Sequence, residues 1–336
     1  MREPHFTIGK LDIVRPIFQA PIGSLGTAEL VATVSNAGGV GTLALSWSDA
    51  EIATKLITAV KTRTLMPFAA NFVLSFKTSA LNAALESGVP IVTFSWGLPG
   101  PLVGTVHSYG AAVGVQVGTV SGARRAIDEG CDFIICQGVE AGGHVQSSIP
   151  LRTLLPAVVA EAREVPVVAA GGLADGADVA EVIALGACAA MLGTRFVASA
   201  ESRAHHAYKA ALLSAGAADT ALTGCFDGGW PYALHRVLRN ATLTNWESSG
   251  CPPSGSRPGE ADVVAQSHSG GPVRRYDDTP PNNEMEGDTL SCCLYAGTGI
   301  EKIVSIQSAD TLVKDIWRDA ASIGRAVSAP SGARRG

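Results

Sequence analysis

A histidine that follows two adjacent glycines is the residue of this sequence best placed to do chemistry. His144 ends the stretch EAGGH, which begins at Glu140 and follows the apolar run CDFIIC. Gly142 and Gly143 would each cost a helix about 1 kcal/mol relative to alanine, so the pair favours a loop whose backbone approaches something closely. An imidazole with an ordinary pKa of about 6.5 suits proton transfer at neutral pH. We therefore predict that His144 is catalytic, and that Glu140 is either a competing acid or base or an anchor of the loop.

Glycines at the ends of two later strand-like runs suit a phosphate group. The run PVVAAGG ends in Gly171 and Gly172, and the run CAAMLGTRF contains Gly193 followed by Thr194. Such glycines leave room for an anion, backbone N–H groups can donate to it, and the threonine hydroxyl adds a further donor. The alternative is that these glycines only form tight turns between a strand and a helix.

Uncharged amide side chains end three other strand-like runs, at Asn71, Gln116 and Gln137. An amide can both donate and accept hydrogen bonds, as the edge of a heterocycle with carbonyls and ring nitrogens requires, and a flavin pyrimidine is such a group. Each amide alone could simply bond to its neighbours at the strand end. Three that converge beside a phosphate site favour a bound flavin nucleotide.

The elements that must position these residues are eight short β-branched runs with helical patterns between them. The runs begin at residues 17, 39, 67, 90, 112, 132, 166 and 188. They are almost continuously apolar, as parallel strands buried on both faces are, and a capping-box pattern at Ser48 and Glu51 opens one intervening helix. This spacing predicts an α/β fold, a (β/α)₈ TIM barrel, with a doubly wound open sheet as the alternative. The stretch GVGTLA, residues 39–44, resembles a dinucleotide fingerprint only by chance, because a strand runs through it.

The regular rhythm of strands and helices stops after residue 214. Residues 251–281 contain six prolines and four glycines, too many for regular elements, and a helical pattern returns in SADTLVKDIWRDAASIG. We predict a barrel over residues 1–214, a small lid domain over 215–290, and a return segment with a C-terminal helix packing on the barrel over 291–336.

The composition predicts a soluble enzyme with a large core. Hydrophobic residues make up 46% of the 336 residues, charged residues 16%, and the net charge is −5, which argues against nucleic acid as a partner. No apolar stretch reaches the roughly 18 residues of a membrane span, and no signal peptide is recognisable. The seven cysteines include no CxxC motif and no zinc spacing, so we expect reduced thiols, a cytoplasmic location and no metal.

Long stretches of the chain resemble the nitronate monooxygenase family, formerly called 2-nitropropane dioxygenases. The resemblance includes QAPIGSLGTAELVATVSNAGGVGTL, QGVEAGGHVQ and PVVAAGGLADGADVAEVIALGACAAMLGTRF. It implies a barrel that binds FMN and oxidises alkyl nitronates, or nitroalkanes, with O₂ to a carbonyl compound and nitrite. His144 would be the active-site base or hydrogen-bond donor. Together with the residue patterns, the resemblance predicts cofactor contacts at Asn71, Gln116, Gln137, Gly142, Gly143, Gly171, Gly172, Met191, Leu192, Gly193 and Thr194.

Three positions depart from the family pattern. Gln146 replaces the last glycine of the usual motif Gly-Gly-His-x-Gly, Thr298 replaces a glutamine, and Ile22 replaces a methionine. The cofactor prediction is unaffected, whereas the substrate is less defined. A small-molecule substrate and O₂ are the expected partners, and a homodimer is left open.

Two other functions compete with nitronate oxidation. The same EAGGH pattern occurs in NAD(P)H-dependent flavin reductases of this superfamily, the enoyl-ACP and quinone reductases. The loops after the predicted strands 1, 3, 6 and 7 offer Lys77 as their sole cation, which disfavours binding of NAD(P)H. The remaining alternative is a flavin-binding protein without turnover.

Overall fold

Eight parallel strands form a barrel in the computed structural model, which describes residues 6–328. A hairpin of β1 (Phe6–Ile8) and β2 (Leu11–Ile13) precedes them. The barrel strands coincide with the eight runs predicted from the sequence, and the two-residue strand β9 (Gly143–His144) lies in the loop between two of them. The barrel strands are β3 (Ile17–Gln19), β4 (Gly41–Ala44), β5 (Phe68–Val73), β6 (Ile91–Ser95), β7 (Ala112–Val117), β8 (Phe133–Gln137), β10 (Val167–Ala170) and β11 (Ala189–Leu192).

The two edges of this sheet meet, which distinguishes a barrel from an open sheet. The strand order is β3-β11-β10-β8-β7-β6-β5-β4, and a parallel bridge joins Phe18 of β3 to Val40, directly before β4. The Val40 N–H donates to the Ile17 carbonyl at 2.9 Å, and the Val40 carbonyl accepts from the Gln19 N–H at 2.9 Å. The predicted TIM barrel is therefore confirmed, and the doubly wound sheet is excluded.

Helices cover the outside of the barrel, and most of them follow a strand. They are α1 (Ala28–Asn36), α2 (Ala50–Lys61), α3 (Leu81–Glu86), α4 (Leu102–Ser108), α5 (Val120–Asp128), α6 (Leu151–Ala162), α7 (Gly176–Ala184), α8 (Thr194–Val197), α9 (His206–Ser214), α10 (Ala241–Ser248) and α11 (Ala309–Ser328). Because α8 is a single turn, α11 packs between α7 and α1 in the place of the eighth outer helix.

The start of α2 differs from the sequence prediction by one residue. Asp49, rather than Ser48, caps the helix, and its carboxylate accepts from the Ile52 N–H at 2.8 Å. Asp is as good an N-cap as Ser, so the pattern alone could not separate the two neighbours. Gly41, the second glycine of the stretch GVGTLA, is required for packing. A Cβ on this residue of β4 would clash with the Val31 carbonyl of α1.

The amino-terminal end of the barrel interior is filled with side chains. Phe18, Ile91 and Phe133 are fully buried there, and Ile8 and Ile13 of the hairpin pack against the same cluster. Free volume inside the barrel therefore remains at the carboxyl ends of the strands, where the loops predicted to carry the chemistry lie.

The chain beyond the barrel strands forms two small antiparallel sheets. Strand β13 (His235–Leu238) pairs with β12 (Thr220–Thr223) and also with β9, the strand that carries His144. The second sheet contains β14 (Val263–Ser267), β15 (Gly271–Arg274) and β16 (Met285–Gly287). How the chain divides into domains stays a prediction.

Two properties of the described chain bear on its surroundings. Within residues 6–328, none of the helices has the length and apolar character needed to cross a membrane. The seven cysteines are all unpaired, including the adjacent Cys292 and Cys293.

Candidate functional site

A cavity of about 640 Å³ opens at the carboxyl ends of the barrel strands. This volume lies in the range of ligand-binding cavities. His144 and ten of the eleven residues predicted to contact the cofactor line it: Asn71, Gln116, Gln137, Gly142, Gly143, Gly171, Gly172, Met191, Gly193 and Thr194. Leu192 is the exception, because neighbouring strand residues point to opposite faces, and its side chain is fully buried between the barrel and the helices.

The glycines after β10 and β11 leave a row of unpaired donors on the cavity wall. The backbone N–H groups of Gly171, Gly172, Gly193 and Thr194 donate to no group within residues 6–328. Gly171 has φ +121° and Gly172 has φ +69°, conformations that favour glycine. Unpaired N–H groups of this kind bind anions, so these loops suit the predicted phosphate. We refer to the four residues as the phosphate cradle.

The Thr194 hydroxyl has a different partner from the one expected. Its Oγ1 accepts a hydrogen bond from the Gly297 N–H at 2.9 Å, so it joins the cradle to the segment that returns after residue 290. The hydroxyl hydrogen remains free to donate to an anion.

The two glycines before His144 serve different purposes. A Cβ on Gly142 would clash with the backbone N of Gly297, so glycine is required there by close packing of the returning segment. Gly143 has φ +72°, which turns the chain so that His144 can pair with His235 of β13. The expectation that the backbone approaches something closely is met within the protein itself.

Glu140 holds this loop in place. Its carboxylate accepts from the Leu151 N–H, at 2.9 and 3.2 Å, and so caps the start of α6. Its carbonyl accepts from the Thr298 N–H at 3.0 Å. Of the two roles considered for Glu140, these contacts support the anchor.

The three amides converge on the cavity, but two of them hold the His144 loop. Gln137 donates to the His144 carbonyl at 3.1 Å and accepts from the Gln146 N–H at 2.8 Å. Gln116 donates to the Gln146 side chain at 2.6 Å, so the residue that departs from the family pattern completes this brace. Asn71 donates to the Thr93 carbonyl at 3.2 Å, and its Oδ1 accepts no hydrogen bond from the described residues.

His144 is neutral, and its Nε2 has no partner. The Nε2 atom is buried without a hydrogen bond, and the ring lies 4.3 Å from the Trp230 ring and 5.5 Å from the Tyr295 ring, measured between centroids. Burial, with the neighbouring His235 ring as a smaller cause, lowers the pKa of His144 to about 3. The expectation of an ordinary pKa is therefore wrong, because the aromatic surroundings disfavour the charged form.

The neighbouring His235 is a structural residue. Its Nε2 accepts from the Phe226 N–H at 3.1 Å, so Nδ1 carries the hydrogen and donates to the Ala233 carbonyl at 2.9 Å. Both ring nitrogens are occupied, and the side chain is fully buried.

Sequence reasoning missed an aromatic wall of the cavity, formed by Trp47, Phe76, Trp96 and Trp230. The first three follow the ends of β4, β5 and β6 by one to three residues, the same positional signal that identified the amides. Trp230 comes from the turn before β13, which no spacing in the sequence connects with the barrel. Asp278 is the one Asp, Glu, Lys or Arg among the described lining residues, and burial raises its pKa.

The chemistry available here is hydrogen bonding by His144 beside a wall of unpaired backbone N–H groups. Among residues 6–328, no group of three or more His, Cys, Asp and Glu side chains is arranged to hold a metal ion.

Comparison with solved structures shows the same architecture in two proteins. FabK from Thermotoga maritima superposes with a TM-score of 0.79 at 28% identity, over 93% of this chain and 94% of that chain. A nitroalkane oxidase from Streptomyces ansochromogenes superposes with a TM-score of 0.75 at 29% identity, over 96% of this chain and 99% of that one.

Sequence comparison identifies the family. The nitronate monooxygenase of Pseudomonas aeruginosa is 33% identical over 291 residues, covering 72% of this chain and 82% of that protein. A Rhodococcus jostii protein, (3aS,4S,5R,7aS)-5-hydroxy-7a-methyl-1-oxo-octahydro-1H-indene-4-carboxyl-CoA dehydrogenase, is 32% identical over 71% of this chain, and the alignment spans 66% of that relative. The family model described as nitronate monooxygenase matches residues 5–319. Because this match covers nearly the whole chain, the protein belongs to the nitronate monooxygenase family of oxidoreductases.

Proposed function

We propose that this protein uses FMN to oxidise alkyl nitronates with O₂. Two nitronate anions and one O₂ give two carbonyl compounds and two nitrite anions, which balances atoms and charge. The observation that carries the proposal is the neutral His144 side chain, which lines the same cavity as the phosphate cradle and whose buried Nε2 has no hydrogen-bond partner within residues 6–328. When bound, the flavin supplies the electron acceptor that links nitronate to oxygen.

The phosphate cradle and one amide would hold the FMN. The N–H groups of Gly171, Gly172, Gly193 and Thr194 would donate to the phosphate, and the unpaired Oδ1 of Asn71 would accept from the ring system. Gln116 and Gln137 would contribute through the rigidity that they give to the His144 loop.

His144 would bind the nitronate by hydrogen bonding. With its pKa lowered to about 3, the imidazole stays neutral at physiological pH and donates one N–H without needing a positive charge. It is a weak base for a neutral nitroalkane, because the imidazolium gains stability only after the nitronate anion has formed beside it. The lowered pKa of His144 therefore favours preformed nitronate over nitroalkane as the substrate.

A flavin reductase that uses NAD(P)H is the second candidate, and the likeness to FabK supports it. The lining of the described cavity contains no Lys or Arg, and Lys77 lies outside it. A dinucleotide with a pyrophosphate would thus depend on backbone N–H groups that the FMN phosphate would already use. This observation favours the oxidase.

Anaerobic reduction of the bound flavin tests the two candidates in one experiment. Under argon, a short-chain alkyl nitronate should bleach the visible absorbance of the flavin within mixing time, and admission of air should yield nitrite. NADH or NADPH at millimolar concentration should leave the spectrum unchanged for minutes. If NADH bleaches the flavin and nitronate does not, the protein is a reductase. If neither compound changes the flavin absorbance, a flavin-binding protein without turnover is favoured.

A further inference from the structure

The aromatic wall reaches without interruption from the solvent to His144. The Trp47 and Phe76 ring centroids are 5.4 Å apart, Phe76 and Trp230 are 5.1 Å apart, and Trp230 lies 4.6 Å from Trp96. Trp230 then contacts His144 at 4.3 Å, with the two rings inclined by 32°. If one group of a ligand binds at His144, the rest of that ligand would therefore contact the faces and edges of these aromatic rings.

Two of these rings are held in costly positions. Trp96 has φ +59°, an uncommon and strained conformation for a bulky residue, and such strain tends to occur where function requires it. The Trp47 residue is 61% exposed at the cavity mouth, although burial of an indole ring is strongly favourable. An apolar ligand at the mouth would remove this exposed surface from water.

The scarcity of charged residues in the lining of the cavity restricts the charge of the group that can bind against the aromatic wall. Asp278 is the one Asp, Glu, Lys or Arg among the described lining residues, so a second anionic group on the substrate would find no cation there. The cradle lies on the β10 and β11 side of the barrel, and Trp47, Phe76 and Trp96 follow strands β4, β5 and β6 on the other side. A phosphate in the cradle therefore leaves the aromatic side to the flavin ring near Asn71 and to the substrate.

We propose that the substrate carries an aryl group, which packs against the aromatic wall at Trp47, Phe76 and Trp230 while its nitronate faces His144. This inference rests on the proposed function and specifies its substrate class as aryl-substituted alkyl nitronates. Aromatic pairs prefer the tilted and edge-to-face arrangements that these rings already offer, and they add to the gain from burying apolar area.

Matched ligand pairs test the proposal. The nitronate of 1-nitro-2-phenylethane is compared with that of nitroethane for kcat/KM, and 3-phenylpropanoate is compared with propanoate for binding to the FMN-loaded protein. The two carboxylates are redox-inert planar anions of matching length, so their Kd values, from flavin absorbance changes, do not depend on turnover. In both pairs the phenyl compound should be preferred by about 10-fold or more.

Trp47→Ala should reduce this preference to about 3-fold or less, whereas Trp47→Phe should retain most of it. Tyr109→Ala is the control, because Tyr109 is an exposed aromatic residue that does not line the cavity. A preference below about 3-fold in the unaltered protein, or one that survives Trp47→Ala, would overturn the aryl proposal. If no nitronate yields nitrite while 3-phenylpropanoate still binds selectively, the proposed reaction fails but the aryl specificity of the cavity stands.

Discussion

At His144 the chain half-buries an imidazole, and the buried Nε2 atom has no hydrogen-bond partner within residues 6–328. The residue type alone suggests a base that titrates near neutral pH, and the surroundings turn it into a neutral donor. Among residues 6–328, no carboxylate is hydrogen-bonded to the ring. Its backbone is instead fixed through Gln137, which bonds to the His144 carbonyl and to the Gln146 N–H.

This environment predicts how His144→Asn should affect two substrates. On preformed nitronate the variant should lose about 10-fold of kcat/KM, the scale of one hydrogen bond to a charged group. On a neutral nitroalkane the loss should be of similar size, because the lowered pKa makes His144 a weak base and leaves it the same role as a donor. Steady-state nitrite release measures both. FMN content should stay normal, and a loss of about 10²-fold or more confined to the nitroalkane would show that His144 acts as a base.

At the scale of elements, two strand-to-helix loops form the phosphate cradle. The fold itself requires a glycine at one of its positions, Gly172, but not at another, Gly193. Gly172 has a positive φ, and a Cβ added to it would lie 2.8 Å from both Thr298 Oγ1 and Glu140 Cβ. Any side chain there would therefore strain the fold. Gly193 has φ −104°, and its Cβ position meets only Ala20 Cβ at 3.7 Å. Gly193 is thus the position where a side chain would enter the cradle without disturbing the backbone.

Gly193→Val should therefore fold normally and bind FMN poorly. The isopropyl group would occupy the space of the phosphate, and we expect the Kd for FMN to rise by at least ~10-fold, the loss of one charge-assisted hydrogen bond or more. Flavin released on denaturation and titration of apoprotein measure the change. Gly104→Ala on α4 is the control, because its Cβ would meet nothing within 4 Å. Undiminished FMN affinity in folded Gly193→Val would refute the cradle.

At the scale of the whole molecule, residues beyond the barrel strands complete the site. Strand β13 pairs with β9, and Trp230 and Tyr295 cover the imidazole of His144. The burial that lowers its pKa is thus a property of the assembled chain. It also links the stability of the molecule to pH.

The sign of this link follows from the two pKa values. Unfolded His144 has a pKa of about 6.5, and in the folded protein burial lowers the pKa to about 3. At a pH between these two pKa values, the unfolded chain binds a proton at His144 that the folded protein does not bind. The free energy of unfolding therefore falls as the pH falls. From pH 7 to pH 5 this amounts to about 2 kcal/mol.

Between pH 7 and pH 5, the free energy of unfolding of the His144→Gln variant should fall by about 2 kcal/mol less than that of the unaltered protein. Urea unfolding at pH 7 and pH 5, with saturating FMN throughout, measures the difference. His268→Gln is the control, because 65% of the His268 side chain is exposed. That variant should lose as much stability as the unaltered protein, and a similar loss in His144→Gln would show that His144 is not buried as described.

The sequence by itself determined the barrel and located eleven of the residues that line the cavity, His144 among them. Parallel strands buried on both faces must be continuously apolar, so their number and spacing can be read directly, and residues at their carboxyl ends must share one face. That rule brought Asn71, Gln137 and the glycines of the cradle to one cavity. The same rule, applied to aromatic residues, would have found Trp47, Phe76 and Trp96.

Only the tertiary structure decided how these residues act. The pairing of β13 with β9, the stacking of Trp230 on His144 and the use of Gln116 and Gln137 as braces join residues far apart in the chain. Local sequence patterns carry no record of such contacts, because neither periodicity nor spacing links a loop near residue 230 to one near residue 144. A pKa depends on everything packed around the group, so the neutral state of His144 had to come from the folded molecule.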